Sequence, residues 1–366
     1  MKFSIIRSKF LEAMQRVQNV VSTKPTVLIL QNAMMKVEDD QLCITTTDLD
    51  ISEKCTTACE VEVPGGTTLP IKRLVSVIRE LNEEQVFIDV GEDDVANVQC
   101  GSSYFKINGM PMRDFPPVPE TEGSSSYSLS QGMFREMLRK TCYASSLDET
   151  RRVLNGVLLS FKDKKLTVVA TDGRRLALVE HEVEFPEEAE TDLVLPAKVV
   201  TELLRILAAD DSLLKIYAQK NQVVFDLGTT SVTSKLLEGV YPNYRQIIPT
   251  SCEERVVIER DLLLAAIRRV SVVTSDKSNS ISMTFSANQL TISSNSPEIG
   301  EARDTVPVKY AGEEFTIIFN PDFVMDPLKA IDDDEVFFEL NGGNSPALLK
   351  CSIPFLYLLM PLRPNN

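Results

Sequence analysis

One unit recurs three times in this chain, and that repetition constrains the fold more than any local pattern does. Gln41-Leu42-Cys43-Ile44-Thr45-Thr46-Thr47-Asp48 aligns without gaps to Lys165-Leu166-Thr167-Val168-Val169-Ala170-Thr171-Asp172 and to Gln289-Leu290-Thr291-Ile292-Ser293-Ser294-Asn295-Ser296. Leu42, Leu166 and Leu290 stand 124 residues apart. A second signal keeps nearly the same step: Leu69-Pro70-Ile71-Lys72, Leu195-Pro196-Ala197-Lys198 and the weaker Phe319-Asn320-Pro321-Asp322. Three copies of one fold imply a symmetric object rather than a single catalytic cleft.

Pro116-Pro117-Val118-Pro119 running into Gly123-Ser124-Ser125-Ser126, and Tyr241-Pro242-Asn243-Tyr244 running to Pro249-Thr250-Ser251, read as loops that separate the copies. Domains at 1–120, 127–247 and 251–366 follow. Each copy opens with a strand and then a helix whose apolar residues fall at i, i+4 and i+7: Phe10, Met14, Val17; Phe134, Leu138, Thr141; Leu263, Ile267, Val270. Alternating strands come next, clearest at Leu42/Ile44, Leu166/Val168 and Leu290/Ile292, each pair facing one side of a sheet. A second helix repeats the stripe as Leu74, Ile78, Leu81, as Val200, Leu204, Leu207, and as Val324, Leu328, Ile331. Pro327 predicts a kink or a late start in the last of these. Each copy is thus an α+β domain, two helices packed on antiparallel sheet.

Composition is that of a soluble globular protein, 43% hydrophobic and 25% charged. Seven cysteines, an odd number without metal-ligand spacing, read as free thiols of a reducing compartment. With no apolar run near the roughly 18 residues of a membrane span, a cytoplasmic location is expected and no membrane partner. A net charge of −15 argues at first sight against a nucleic-acid ligand. Net charge does not fix distribution, however, and an acidic outside with a basic lining suits a protein that encloses DNA without gripping it.

The cations recur with the repeat. Arg16, Lys140 and Arg269 lie two residues beyond Met14, Leu138 and Ile267, and Arg79, Arg205 and Lys329 directly follow Ile78, Leu204 and Leu328. At about 100° per residue these positions face away from the apolar stripes. The plain alternative is ordinary solvation of outer helix faces. A domain of this size has a radius of gyration near 14 Å, so three in a ring leave a hole of only about 5 Å whereas six leave about 35 Å, enough for duplex DNA. A head-to-tail homodimer is the smallest symmetric assembly that meets this.

Four motifs in order then resemble the bacterial sliding clamp, the beta subunit of DNA polymerase III, over the whole chain: Leu154-Asn155-Gly156, Ala170-Thr171-Asp172-Gly173-Arg174-Arg175-Leu176-Ala177, Tyr241-Pro242-Asn243-Tyr244-Arg245 and Tyr357-Leu358-Leu359-Met360-Pro361-Leu362-Arg363. The resemblance implies a six-domain homodimeric ring that slides on duplex DNA and tethers the replicative polymerase. It also implies loading by an ATP-driven clamp loader and no catalysis, cofactor or metal of its own, although the assembly it serves is a nucleotidyltransferase. It implies partners in the polymerase alpha subunit, the clamp-loader delta subunit and other replication and repair proteins that carry a clamp-binding peptide. By matching position, the peptide site is Leu154, Thr171, Gly173, Arg174, Arg175, Leu176, Pro242, Ile247, Asn320, Phe323, Leu358, Met360, Pro361 and Leu362. Such residues offer an adaptable apolar slot for Leu or Phe anchors, though Leu358-Leu359-Met360 also reads as a core-filling last strand. Arg174 stands where the family commonly has His, and Leu362 where it has Met.

Matching position points to Lys24, Arg73, Arg152 and Lys198 for DNA, to which the repeated helix cations add Arg79, Arg205 and Arg269. Arg152 replaces an aromatic residue usual in the family. At the subunit interface Phe105 and Ile107 are expected to meet Val272 and Val273. Basic residues usual near Phe105 are here Ser102 and Tyr104, with Lys106 beyond, while Glu298, Glu301 and Asp304 keep acidic character opposite.

A metal-dependent nuclease or transferase is the competing class, from the carboxylates Asp210-Asp211 and Asp332-Asp333-Asp334. Glu83-Glu84 occupies the same place in the first copy, so these clusters read as solvated turns. His181, the one histidine, has no Cys or Ser nearby in sequence, and no Gly-rich phosphate loop occurs.

Overall fold

Strand turns directly into helix in each copy, and this local habit sets the layout. The computed structural model describes residues 1–22, 27–117, 125–275, 279–352 and 354–363. Among them lie the α-helices α1 Arg7–Val17, α2 Ile71–Glu80, α3 Gln131–Arg139, α4 Ala197–Ile206, α5 Arg260–Ser271 and α6 Pro321–Ala330. The first five begin at the residue after a strand ends, and α6 follows its strand by one residue, Asn320. Asn320 caps α6, its side-chain oxygen accepting from the Asp322 N–H at 2.9 Å.

The chain forms two compact units, residues 1–133 with 201–236 and residues 134–200 with 237–366. In the first, a five-stranded sheet runs Glu60–Val63, Lys2–Ile6, Gln85–Val90, Val95–Cys100, Ser103–Asn108. An eight-stranded sheet runs Ser125–Ser130, Leu213–Ala218, Gln222–Asp226, Thr230–Lys235, Ile51–Ala58, Gln41–Thr47, Asn32–Glu38, Gly65–Pro70. Its middle ladder, Thr230–Lys235 against Ile51–Ala58, joins the sheet of the second sequence copy to that of the first. In the second unit a twelve-stranded sheet makes the same kind of joint between Arg175–Glu182 and Phe355–Leu359, the second and third copies.

The expected faces are present. Leu42, Ile44, Leu166, Val168, Leu290 and Ile292 are all fully buried. In the first unit Phe10, Met14 and Val17 of α1 and Leu74 and Ile78 of α2 share one core with Met35, Val86 and Ile88. Each such side chain contributes about 1.5–3 kcal/mol by leaving water. Thr46 closes the end of α1, its hydroxyl donating to the Val17 carbonyl at 2.6 Å.

Four details differ from the periodic reading. In α4 the buried stripe is Val199, Val200 and Leu203, continued by Leu207, with Leu204 only half-buried. Helix α3 stops at Arg139, so Lys140 and Thr141 lie beyond it; Thr141 stays buried because its hydroxyl donates to the Met137 carbonyl at 2.8 Å. Leu81 and Ile331 likewise sit just past the ends of α2 and α6. Finally, α6 starts on time, with Pro321 in its first turn, and continues through Pro327. Proline has no N–H to give the carbonyl four residues back. That carbonyl, of Phe323, accepts instead from the Tyr357 hydroxyl at 2.7 Å.

One carboxylate is buried in the first unit's joint. Glu53 lies across from both Thr46 and Val232, is fully buried, and its oxygens accept no hydrogen bond. Burial, then the Glu202 carboxylate, push its carboxyl up to about 9, opposed by the Arg205 guanidinium 3.8 Å away. A folded-state value raised above the ordinary 4.5 makes this group's contribution to stability fullest below the ordinary value, and lost as pH climbs towards about 9. Replacing Glu53 by Gln, which mimics the protonated acid, should flatten the alkaline fall in stability by up to about 1.4 kcal/mol per pH unit. Urea unfolding of both proteins across that range checks it; parallel curves would remove Glu53 from the account.

Candidate functional site

The second unit brings most of the expected peptide-site residues into one region. Strand register sets Arg175 opposite Leu359 and Leu176 opposite Leu358. Beyond the ladder's end, the Met360 N–H donates to the Arg174 carbonyl at 2.9 Å. The Leu362 N–H donates to the Ile318 carbonyl at 2.8 Å, which lays the C-terminal segment beside the strand that leads to Asn320. Tyr244 packs with Leu158, Val169, Leu176, Val194, Leu348 and Leu358, carrying the 242–247 segment to the same cluster.

Burial divides these residues by role. Ile247, Met360 and Leu362 are 49%, 41% and 36% exposed, and Gly173, Arg174 and Pro242 are exposed as well. Asn320, Phe323 and Pro361 are half-buried. Leu154, Thr171, Leu176 and Leu358 are buried and form floor rather than contact surface. Periodicity missed the half-buried Val153, Leu178, Leu237, Tyr241, Ile248 and Leu356, which pack on the same cluster. The signal was alternation: Leu178 and Leu356 continue the Leu176 and Leu358 faces by two residues.

Arg175 differs most from expectation. Its side chain is only 10% exposed and is committed inside the protein. Nη1 donates to Asp326 at 2.6 Å, Nε to Asp172 at 3.1 Å and Nη2 to the Tyr143 carbonyl at 2.6 Å, and the guanidinium lies 4.2 Å from the Phe323 ring centroid. It is a structural cation, not one free to orient a ligand. Asp172 also accepts from the Arg174 and Arg175 N–H groups at 2.8 and 3.1 Å, and Thr171 from the Gly173 N–H at 3.1 Å. Gly173 has φ of +87°, the left-handed conformation glycine takes without strain. The tight turn and the candidate rim are therefore one structure. Asp326 and Tyr143 were not foreseen; a lone carboxylate within Val324-Met325-Asp326-Pro327-Leu328 was the available signal.

The cations are less uniform than their spacing suggested. Arg73 and Arg79 on α2, Arg152 after Arg151 and Lys198 on α4 are exposed. Arg205 instead pairs with Glu202, faces Glu53 and donates to the Arg16 carbonyl. Arg269 pairs with Asp304 at 2.6 Å and Arg16 with Glu12 at 2.9 Å. Lys140 lies mostly covered, 3.7 Å from Glu136, and Lys329 lies 3.8 Å from Asp326. Local carboxylates thus already face five of the six repeated cations. Lys24 falls outside the described residues.

Phe105 and Ile107 sit on Ser103–Asn108, the end strand of the five-stranded sheet. Val272 is exposed and Val273 half-exposed just after α5. The carboxylate clusters serve turns: Asp210 accepts from the Ser212 N–H at 2.9 Å, Asp332 pairs with Arg139 at 2.6 Å, and Asp333 holds the Ser352 N–H at 3.0 Å. No group of three or more His, Cys, Asp or Glu able to hold a metal occurs among the described residues. His181 is exposed, and no helix among those residues is long and apolar enough to cross a membrane.

Three tandem α+β domains, helices on antiparallel sheet, define a clamp-type architecture. Residues 1–119, 128–243 and 245–363 match, in turn, the N-terminal, central and C-terminal domains of the DNA polymerase III beta subunit. The chain is 31% identical over 363 residues to the beta sliding clamp of Chlamydia muridarum, covering 99% of each, and 32% identical over 367 residues to that of Pseudomonas aeruginosa, covering 99% and 100%. Among solved structures it superposes on the Pseudomonas aeruginosa sliding clamp with a TM-score of 0.95 at 32% identity, over 99% of this chain and 100% of that one. The Bacillus subtilis clamp gives 0.96 at 28%, with each chain fully covered. The chain belongs to the DNA polymerase III beta subunit family, the beta sliding clamps. Its function is that of a non-catalytic processivity factor, which encircles DNA and tethers the polymerase.

The Arg175 network carries a stability prediction. Arg175→Ala would take the guanidinium from the Asp172 and Asp326 carboxylates and the Tyr143 carbonyl, and should cost about 1.5–3 kcal/mol, as losing hydrogen bonds to a charged group does. Chemical denaturation measures it; a loss below about 1 kcal/mol would mean the pair is worth no more than a surface one.

Proposed function

We propose that two copies of this chain join head to tail and that the closed ring holds duplex DNA without reading its sequence. The observation that carries this is a pair of open strand edges. Ser103–Asn108 pairs only with Val95–Cys100 among the described residues. Gly300–Lys309 pairs with Gln289–Ser296 along most of its length, but with Glu254–Glu259 only at Val308 and Lys309. Unpaired edges of this kind are templates for another strand. Phe105 and Ile107 on the first edge, with Val272 and Val273 of a second copy, supply the apolar part. The acidic side is Glu298, Glu301 and Asp304, of which Asp304 is already engaged by Arg269.

The domains are those at 1–120, 127–247 and 251–366, and the protein acts in the cytoplasm. Arg73, Arg79, Arg152 and Lys198, exposed in this structure, are the phosphate contacts, with Lys24 from the family pattern. Arg205 and Arg269 add to these once their pairs with Glu202 and Asp304 reorganise. The exposed rim of Gly173, Arg174, Pro242, Ile247, Met360 and Leu362, over the Leu176 and Leu358 floor, takes short apolar peptides of the polymerase alpha subunit, the clamp-loader delta subunit and other clamp-binding proteins.

Protein loaded onto nicked circular duplex should co-elute with it in gel filtration and be lost once the DNA is linearised; equal loss from both forms would defeat topological binding. Deleting residues 360–366 should abolish polymerase stimulation while sedimentation still reports a dimer. Normal stimulation by the truncated protein would sink the peptide-site assignment.

A further inference from the structure

We propose that Asp326 is the positioning residue of the peptide site, acting through Arg175 on the Phe323 ring; this rests on the site reading given above. The site has two walls of different origin. One is the strand pair around Arg174, Leu176, Leu358 and Met360; the other is the first half of α6, with Asn320 and Phe323. Within α6 the ladder is broken where it matters, because Pro327 cannot bond the Phe323 carbonyl. Two side chains from the strand wall reach this stretch of α6, one of them supplying the missing bond. Tyr357 donates its hydroxyl to the Phe323 carbonyl at 2.7 Å, and Arg175 reaches Asp326 at 2.6 Å.

Phe323 and Asp326 are three residues apart, hence on the same side of the helix, and Arg175 meets both. Its guanidinium bonds the carboxylate and covers the ring at 4.2 Å. Asp172 and the Tyr143 carbonyl hold the other edges of that guanidinium, at 3.1 and 2.6 Å. A planar cation fixed on three sides leaves the ring one place to lie. Asp326 is the only one of the three anchors that belongs to α6, so it is the side chain through which the guanidinium holds that wall, beside the Tyr357 hydroxyl on the Phe323 carbonyl. Asp326 itself is not placed to touch a peptide: its carboxylate oxygens face Arg175 and, at 3.8 Å, Lys329.

The test is a double-mutant cycle on the full-length protein, read by fluorescence anisotropy of a labelled synthetic peptide with Leu and Phe anchors. Phe323→Ala and Asp326→Asn should each weaken binding about tenfold. The double variant should be no weaker than Phe323→Ala alone, since both remove the same thing, and Asp326→Glu should recover most of the affinity. Additive losses, or wild-type binding by a folded Asp326→Asn protein, would overturn the proposal. If Phe323→Ala also binds like wild type, the site reading itself fails, a different result from loss in Phe323→Ala alone. Should Asp326→Asn not fold, Tyr357→Phe takes its place in the cycle. It removes only the hydroxyl on the Phe323 carbonyl, and the same non-additivity is required of it.

Discussion

The interaction on which the rest depends is the backbone ladder between edge strands of neighbouring copies. Ile51–Ala58 is the end of the first copy's strand series and Thr230–Lys235 the end of the second's, and each covers the other's unpaired N–H and C=O groups. Arg175–Glu182 and Phe355–Leu359 do the same between the second and third copies. Antiparallel pairing gives such a joint a fixed register, because a slip by one residue would turn every buried side chain outward. The central copy thereby shares its sheets with both neighbours, which is why each compact unit contains part of it. With these internal edges consumed, the edges at Ser103–Asn108 and along most of Gly300–Lys309 are among those left open in the described residues.

The same ladder builds the site. Residues 175 and 359 face each other by register, so 174 and 360 emerge together at the ladder's end, where the backbone is free to form a rim. The floor below it needs no special residues beyond the alternation that already makes a buried strand. The proposed site is therefore a property of where a sheet stops, which suits a protein whose work is holding rather than chemistry.

Much of this was legible in the sequence, for a physical reason: repetition and alternation are local, and the buried pairs Leu42/Ile44, Leu166/Val168 and Leu290/Ile292 follow from them. What periodicity does not carry is who faces whom across space. Leu204 fits its helical spacing yet is not in the stripe, since Leu203 takes its place while Val200 and Leu207 keep theirs. The repeated cations are outward by angle, but Arg205 finds Glu53, and Arg269 finds Asp304, from elements remote in sequence, while Glu202 meets Arg205 from its own helix. Arg175 looked like a ligand-facing cation because its motif lies at the rim; its neighbours Asp172, Asp326 and Tyr143 come from three separate segments.

These pairings alter the electrostatic picture in a useful direction. On the proposed reading, a chain of net charge −15 with its DNA-facing cations fully free would bind duplex through many released counterions and resist translation. Pairing several of the cations to carboxylates reduces the phosphates each can neutralise. Pro327 in α6 has a comparable logic: it removes a hydrogen bond the helix would have made for itself and leaves the Phe323 carbonyl to a tyrosine of the neighbouring strand. The third copy departs from the repeat at the place where a helix must answer to the sheet beside it, so its irregularity falls within the proposed peptide site.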